Sequence, residues 1–195
     1  ITFRQRIIIS KDLNHFNMAN ILKLVKYVVI LTLGIEAVGA ALLFIKFYFF
    51  FSLKRAAYYA VFHSISAFCN AGFDVFGNSL ENFTGDIYIN LVIAALFIIG
   101  GLGFSVIADL YHRRRFTKFS LHTKLVLLIT VVLIGIGVLG IFIFEFFNPA
   151  TLGNLPLLDK LTAAYFQGVT PRTAGFNTVP IGKLTIGSLF LTIIL

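Results

Sequence analysis

The sequence has 195 residues, 58% of them hydrophobic and only 12% charged, with a mean hydropathy of +0.94, which excludes an ordinary soluble domain of this length. A net charge of +8 would suit a nucleic-acid partner if the basic residues formed one solvated stripe. They gather instead between apolar runs, where positive charge orients membrane spans, and nucleic acid is excluded as a partner. The single cysteine excludes an internal disulfide.

From the amino terminus, residues 1–26 carry Arg4, Arg6, Lys11, Lys23 and Lys26 among apolar residues and read as a cytoplasmic or interfacial connection. With no initiator methionine, and with an apolar run at its far end, the sequence reads as a piece of a longer protein. Residues 27–51 are long enough to cross a hydrocarbon core of about 30 Å at about 1.5 Å per residue. Residues 56–68 are too short to cross and mix His63, Ser64 and Ser66 with apolar residues, as a re-entrant half-helix would. Residues 87–108 read as a second span, and the loop 111–124 is the most basic part of the chain. Residues 125–147 form a third span, 158–169 a second half-helix, and 184–195 the start of a fourth span. No segment alternates with a period of two, which argues against a barrel. The predicted class is an all-α integral membrane protein built from tandem membrane-pore-membrane repeats.

The amino-terminal stretch and the Arg113-Arg114-Arg115 loop lie two spans apart on one side and hold most of the Lys and Arg. That side is expected to be cytoplasmic, with 78–84 external and both half-helices entering from outside. Lys46, Lys54, Arg55, Lys160, Arg172 and Lys183 run against a strict count.

Each half-helix leads into the same tripeptide, Ala71-Gly72-Phe73 and Ala174-Gly175-Phe176. Setting Gly72 on Gly175 also pairs Phe62 with Tyr165, Asn70 with Thr173 and Asp74 with Asn177, an internal repeat whose functional site belongs at the interface of the two copies. Irregular backbone at membrane depth is tolerated where it lines a water-filled path. A glycine there permits torsions that let successive carbonyls face one way. The carboxyl end of the preceding half-helix adds about half a unit of negative charge. Such a loop favours a cation, and rings of carbonyls strip and hold one.

The runs Phe62-His-Ser-Ile-Ser-Ala-Phe-Cys-Asn-Ala-Gly-Phe-Asp74 and Gly168-Val-Thr-Pro-Arg-Thr-Ala-Gly-Phe-Asn177 resemble the second and third pore loops of KtrB-type potassium-translocating subunits of the Trk/Ktr/HKT superfamily. The resemblance covers essentially the whole chain, including Glu145-Phe-Phe-Asn-Pro-Ala-Thr-Leu-Gly153. It implies four span-loop-span units around one pore in a bacterial plasma membrane. Residues 27–112 would correspond to unit two, 113–124 to the connecting cytoplasmic loop, and 125–195 to unit three, with the first and fourth loops absent. It also implies potassium held by the backbone at Asn70, Ala71, Gly72 and Phe73 and at Thr173, Ala174, Gly175 and Phe176. Beyond the permeant potassium ion no cofactor is expected, and the role of sodium stays open. The implied partners are membrane lipids, a second copy in a homodimer, and a cytosolic nucleotide-binding ring that would dock near Arg113, Arg114 and Arg115. In this superfamily, exchange of a filter glycine for serine goes with a shift from potassium toward sodium.

Several single residues carry two readings. Glu36 inside a span is either functional or hydrogen-bonded to a neighbouring helix. His63 is expected as a buried polar contact behind the loop, not a ligand. Arg172 is expected to brace its loop by pairing with Glu145 or Asp159. Asp74 either concentrates cations or caps a turn. The Gly100-Gly101-Leu102-Gly103 and Gly135-Ile-Gly137-Val-Leu-Gly140 runs suit close helix packing, and Arg113–Arg115 suits contact with anionic headgroups. No His-Glu-x-x-His, Gly-x-Ser-x-Gly or paired intramembrane Asp supports an enzyme. The readings left are a potassium transporter subunit, a two-loop cation channel assembling as a dimer, and a non-conducting assembly subunit.

Overall fold

The computed structural model describes residues 18–113 and 115–195, with side chains from Val25 onward. The connection expected over 1–26 therefore lies largely outside the described residues, as does Arg114. By contacts the chain divides into Ile1–Gly34 and Ile35–Leu195. The described part of the first unit is helical over 18–34, and all remaining elements belong to the second.

Among the described residues every regular element is helical. α1 runs over Met18–Phe47, α2 over Leu53–Phe68, α3 over Ile87–Leu102, α4 over Phe104–Arg113, α5 over Leu121–Glu145, α6 over Leu157–Val169 and α7 over Ile186–Ile194. Val25–Phe47 and Leu121–Glu145 are long and apolar enough to cross a membrane, and only 17% of each is buried in the chain. Their apolar surface therefore faces outward, which suits lipid or further protein. α2 and α6, at 16 and 13 residues, reach about 24 Å and about 20 Å, short of a hydrocarbon core.

The span expected over 87–108 is two helices. α3 and α4 meet at Gly103 with a bend of 96°, and Gly103 takes φ +86°, a torsion that side-chain-bearing residues resist. A second cause lies one turn earlier. The Asn70 amide, oriented to satisfy its neighbours, donates to the Phe97 carbonyl at 3.1 Å and accepts from the Gly101 N–H at 3.2 Å. Phe97 and Gly101 are helical i, i+4 partners, and a side chain inserted between such partners is a recognised source of kinks.

Glycine sets how closely the short helices approach the spans. A Cβ on Gly100 of α3 would run into the Phe68 carbonyl at the end of α2, and one on Gly137 of α5 would run into the Gly168 carbonyl near the end of α6. Small residues permit this backbone-to-backbone packing where lipid offers no hydrophobic drive between helices. Gly137 therefore abuts the second loop's helix, although the sequence places it far from either loop.

Phenylalanine builds the wall behind α2. The Phe47 ring lies 5.9 Å from His63, 5.8 Å from Phe76 and 5.7 Å from Phe83, and His63 stacks on Phe76 at 4.5 Å with 17° between planes. α1 is fastened to this unit by Lys46 paired with Asp86 at 3.0 Å and by Tyr88, whose hydroxyl donates to the Leu42 carbonyl at 3.0 Å. Asp86 also caps α3, accepting from Ile89 N at 3.1 Å.

Between α5 and α7, Glu145 is fully buried, and among the described residues its carboxylate is met by donors. Ser188 Oγ, Thr151 Oγ1 and Thr185 Oγ1 donate to it at 2.5, 2.5 and 2.7 Å. The Thr185 N–H and the Asn148 amide donate at 2.8 and 2.6 Å. A buried carboxylate persists when its lone pairs are filled in this way.

Candidate functional site

α2 and α6 end at loops that touch one another, so the negative ends of two helices lie at one place. The alternating small and hydroxyl residues near the ends of these helices (Ser64, Ser66, Ala67; Ala163, Ala164, Thr170) are buried, which draws the loops inward against the core. Gly72 has φ +69° and Gly175 φ +78°, so both positions demand glycine for their backbone. They also face each other. A Cβ on Gly72 would stand 2.5 Å from the Ala174 carbonyl oxygen and 3.1 Å from Gly175 Cα, while one on Gly175 would meet only Gly72 Cα, at 3.5 Å.

The eight residues predicted for the site are brought together, in unlike roles. Asn70 and Thr173 are hydrogen-bonded side chain to side chain at 2.8 Å, joining the two loops. Asn70 is itself in a left-handed conformation, φ +53°, which asparagine tolerates better than most residues. Ala174 and Phe176 are buried, whereas Phe73 is 70% exposed on the surface of the chain. The carbonyls of Phe73 and Phe176 accept hydroxyl protons from Ser66 at 2.7 Å and Thr170 at 2.6 Å. Among the described residues, no hydrogen bond ends on the carbonyls of Asn70, Ala71, Gly72, Thr173, Ala174 or Gly175. Six such carbonyls on touching loops at two helix carboxyl ends make a surface suited to a dehydrated cation.

Beyond the glycines the loops are tied a second time. Asn177 N donates to Ser79 Oγ at 3.0 Å, Leu80 N to the Asn177 carbonyl at 2.9 Å, and Asn177 Nδ2 to Glu81 Oε1 at 2.9 Å. Thr84 Oγ1 donates to the Thr178 carbonyl at 2.6 Å. Sequence reading missed this clip, because nothing in the run 79–84 signals a partner almost a hundred residues away.

The residues with two readings resolve locally. Asp74 Oδ1 accepts from the N–H groups of Phe76 and Gly77 at 2.8 and 2.6 Å, the turn-capping role. His63 is buried behind the loops, its Nδ1 2.7 Å from the Tyr59 carbonyl. Glu36 accepts from the Cys69 thiol at 3.6 Å, and its carbonyl accepts from Ser64 at 2.7 Å, joining α1 to α2. Arg172 corrects an expectation: it pairs with neither Glu145 nor Asp159. Glu145 is filled by its hydroxyl and amide donors, and Arg172 Nη2 donates to Thr130 Oγ1 on α5 at 3.2 Å, beside a cavity of about 20 Å³ lined by Phe97, Gly101, Thr130 and Thr173.

Of the basic cluster, Arg113 is tied to its own loop. Its Nε pairs with Asp109 at 2.7 Å and its Nη1 donates to the Lys118 carbonyl at 2.7 Å. Asp109 also accepts from Ser120 N at 2.8 Å. Arg115 is exposed.

Comparison with known proteins decides the family. Residues 5–195 match the model of the TrkH family, described as cation transport protein. The chain belongs to the TrkH family. It is similar to the Ktr system potassium uptake protein B of Bacillus subtilis strain 168, at 42% identity over 195 residues, covering 100% of this chain and 44% of that protein. Ktr system potassium uptake protein B of Vibrio alginolyticus is 36% identical over 197 residues, covering 100% of this chain and 43% of the relative. Potassium/sodium uptake protein NtpJ of Enterococcus hirae is 35% identical over 195 residues, again 43% of its length. This TrkH-family chain thus spans less than half the length of these relatives. Its apolar spans and its family make it a multi-pass membrane protein.

Proposed function

We propose that this chain forms part of a pore for potassium uptake, with a filter built from backbone carbonyls around Gly72 and Gly175. The observation that carries this reading is the meeting of the two Ala-Gly-Phe loops, both glycines at positive φ, with six of the eight site carbonyls accepting no hydrogen bond among the described residues. α2 and α6 are read as re-entrant half-helices of two repeated span-loop-span units, 27–112 and 125–195. Further units would complete the ring around the ion. The protein is read as a transporter subunit, not an enzyme. Its relatives are named as components of Ktr systems, which supports reading this chain as one part of a multi-subunit system; a second copy in a homodimer and a regulatory cytosolic partner at the basic loop are part of the proposed reading.

Uptake of rubidium by potassium-uptake-deficient cells tests the reading, with sodium as competitor because one relative is named for both ions. The full-length protein is expected to restore uptake, and residues 1–195 alone to give none, since two loops border an ion on one side only. Selective flux from residues 1–195 alone would favour a dimer of two-loop chains. Absence of flux from the full-length protein would favour an assembly role.

Orientation gives a second expected result. In a Cys69→Ser background, Asn82→Cys is expected to be labelled on intact cells by an impermeant thiol reagent, and Thr117→Cys only after lysis. Both positions are exposed, so burial does not confuse the comparison. Labelling of position 117 alone on intact cells would invert the proposed orientation.

A further inference from the structure

We propose that Ser66 and Thr170 are positioning residues of the filter, each clasping its Ala-Gly-Phe by both ends. The inference rests on the carbonyl-filter reading and concerns what holds the filter in shape. Ser66 accepts the Ala71 N–H on its carbonyl at 2.9 Å and donates its hydroxyl to the Phe73 carbonyl at 2.7 Å. Thr170 accepts the Ala174 N–H at 3.1 Å and donates to the Phe176 carbonyl at 2.6 Å. In each loop one residue thus holds the N–H of the alanine before the glycine and the carbonyl of the phenylalanine after it. Both side chains are about 5% exposed, so water does not compete for these bonds.

The two clasps are not equivalent in sequence. With Gly72 set on Gly175, Ser66 falls opposite Val169, one position short of Thr170. Four residues, 67–70, separate Ser66 from Ala71, and three, 171–173, separate Thr170 from Ala174. The extra residue is accommodated where Asn70 turns left-handed at φ +53°. The same clasp reached with different spacing marks the geometry, not a shared run of residues, as the feature both loops require.

A glycine at positive φ is flexible in both directions, and only anchored flanks keep its neighbouring carbonyls aimed. The hydroxyl draws the Phe73 and Phe176 oxygens toward the half-helices. This leaves the carbonyls of Asn70, Ala71, Gly72, Thr173, Ala174 and Gly175 to meet the ion. Without the hydroxyl, the peptide plane after each phenylalanine is free to rotate, and the filter adapts to a smaller ion.

The test uses the full-length protein in potassium-uptake-deficient cells, measuring rubidium uptake across a potassium series with sodium as competitor and membrane abundance alongside. Thr170→Val and Ser66→Ala are each expected to lower the preference for potassium over sodium by about fivefold, the scale of one lost buried hydrogen bond. The conservative Thr170→Ser and Ser66→Thr are expected to restore it. Thr162→Val removes a hydroxyl whose bond among the described residues is to the Leu158 carbonyl within α6 and is expected to leave the preference unchanged, which separates loss of the clasp from loss of any buried hydroxyl. If Thr170→Val fails to accumulate, Ser66→Ala in the other loop decides. An unchanged preference in the clasp variants, with a shifted one in Gly175→Ser, overturns the clasp and leaves the filter standing. An unchanged preference in all three overturns the filter reading and the clasp together.

Discussion

Gly175→Ser in the full-length protein is expected to weaken potassium uptake and narrow its preference over sodium by about tenfold, the factor that corresponds to a left-handed backbone penalty of about 1–2 kcal/mol. Its abundance in the membrane should be normal. Gly175 has φ +78°, but an added Cβ would meet nothing nearer than Gly72 Cα at 3.5 Å. The cost is therefore torsional and falls on the carbonyls beside it. Gly72→Ser is expected to act in the same direction and more severely. There the Cβ would also stand 2.5 Å from the Ala174 carbonyl oxygen, displacing the opposite loop as well as its own. Gly135→Ser is the control, because a Cβ at that position meets nothing within 4 Å. Gly137 does not serve, since it packs against the Gly168 carbonyl. Uptake across a potassium series with sodium as competitor measures the effect. Equal potassium affinity and preference in both filter variants and in the control would rule out a carbonyl filter at these glycines.

The second large effect is expected at Glu145, at the end of α5. Glu145→Ala would leave donors from Thr151, Thr185, Ser188 and Asn148 without their acceptor in a buried site. The loss is expected to be on the order of 3 kcal/mol or more, because an unpaired buried donor costs its full desolvation. The unfolding midpoint of the detergent-solubilised protein should fall accordingly, and membrane abundance with it. Glu145→Gln should be intermediate: its amide keeps one acceptor oxygen but turns N–H groups toward other donors. Ion preference in whatever protein remains should match the parent, which separates this fastening of α7 from the proposed filter. A Glu145→Ala protein as stable as the parent would show that the donors find other partners.

Much of the architecture was legible in the chain because membrane physics leaves few choices. Apolar runs of span length had to be helices, since unpaired backbone is too costly in hydrocarbon. Val25–Phe47 and Leu121–Glu145 lie within a few residues of the expected 27–51 and 125–147. The two short helices were legible because they are too brief to cross, and the two glycines because the same tripeptide follows each.

What the chain determined by itself was local: which stretches are helical, where they stop, and that Gly72 and Gly175 stand at corresponding places. Tertiary structure decided what each side chain meets. Arg172 reaches Thr130 on α5 because Glu145 is already filled by hydroxyls from α7 and the loop before α6, a competition between partners that sequence spacing does not record. The span expected over 87–108 breaks at Gly103, where a glycine that any helix would tolerate coincides with an asparagine from another loop inserted one turn earlier. The clasps of Ser66 and Thr170 were hidden for a related reason. They sit one position apart in the aligned repeat, and only the left-handed turn at Asn70 brings them into register. Periodicity and repeats report what a chain does over a few residues; hydrogen-bond partners thirty to a hundred residues apart are chosen by packing, and only the folded chain displays them.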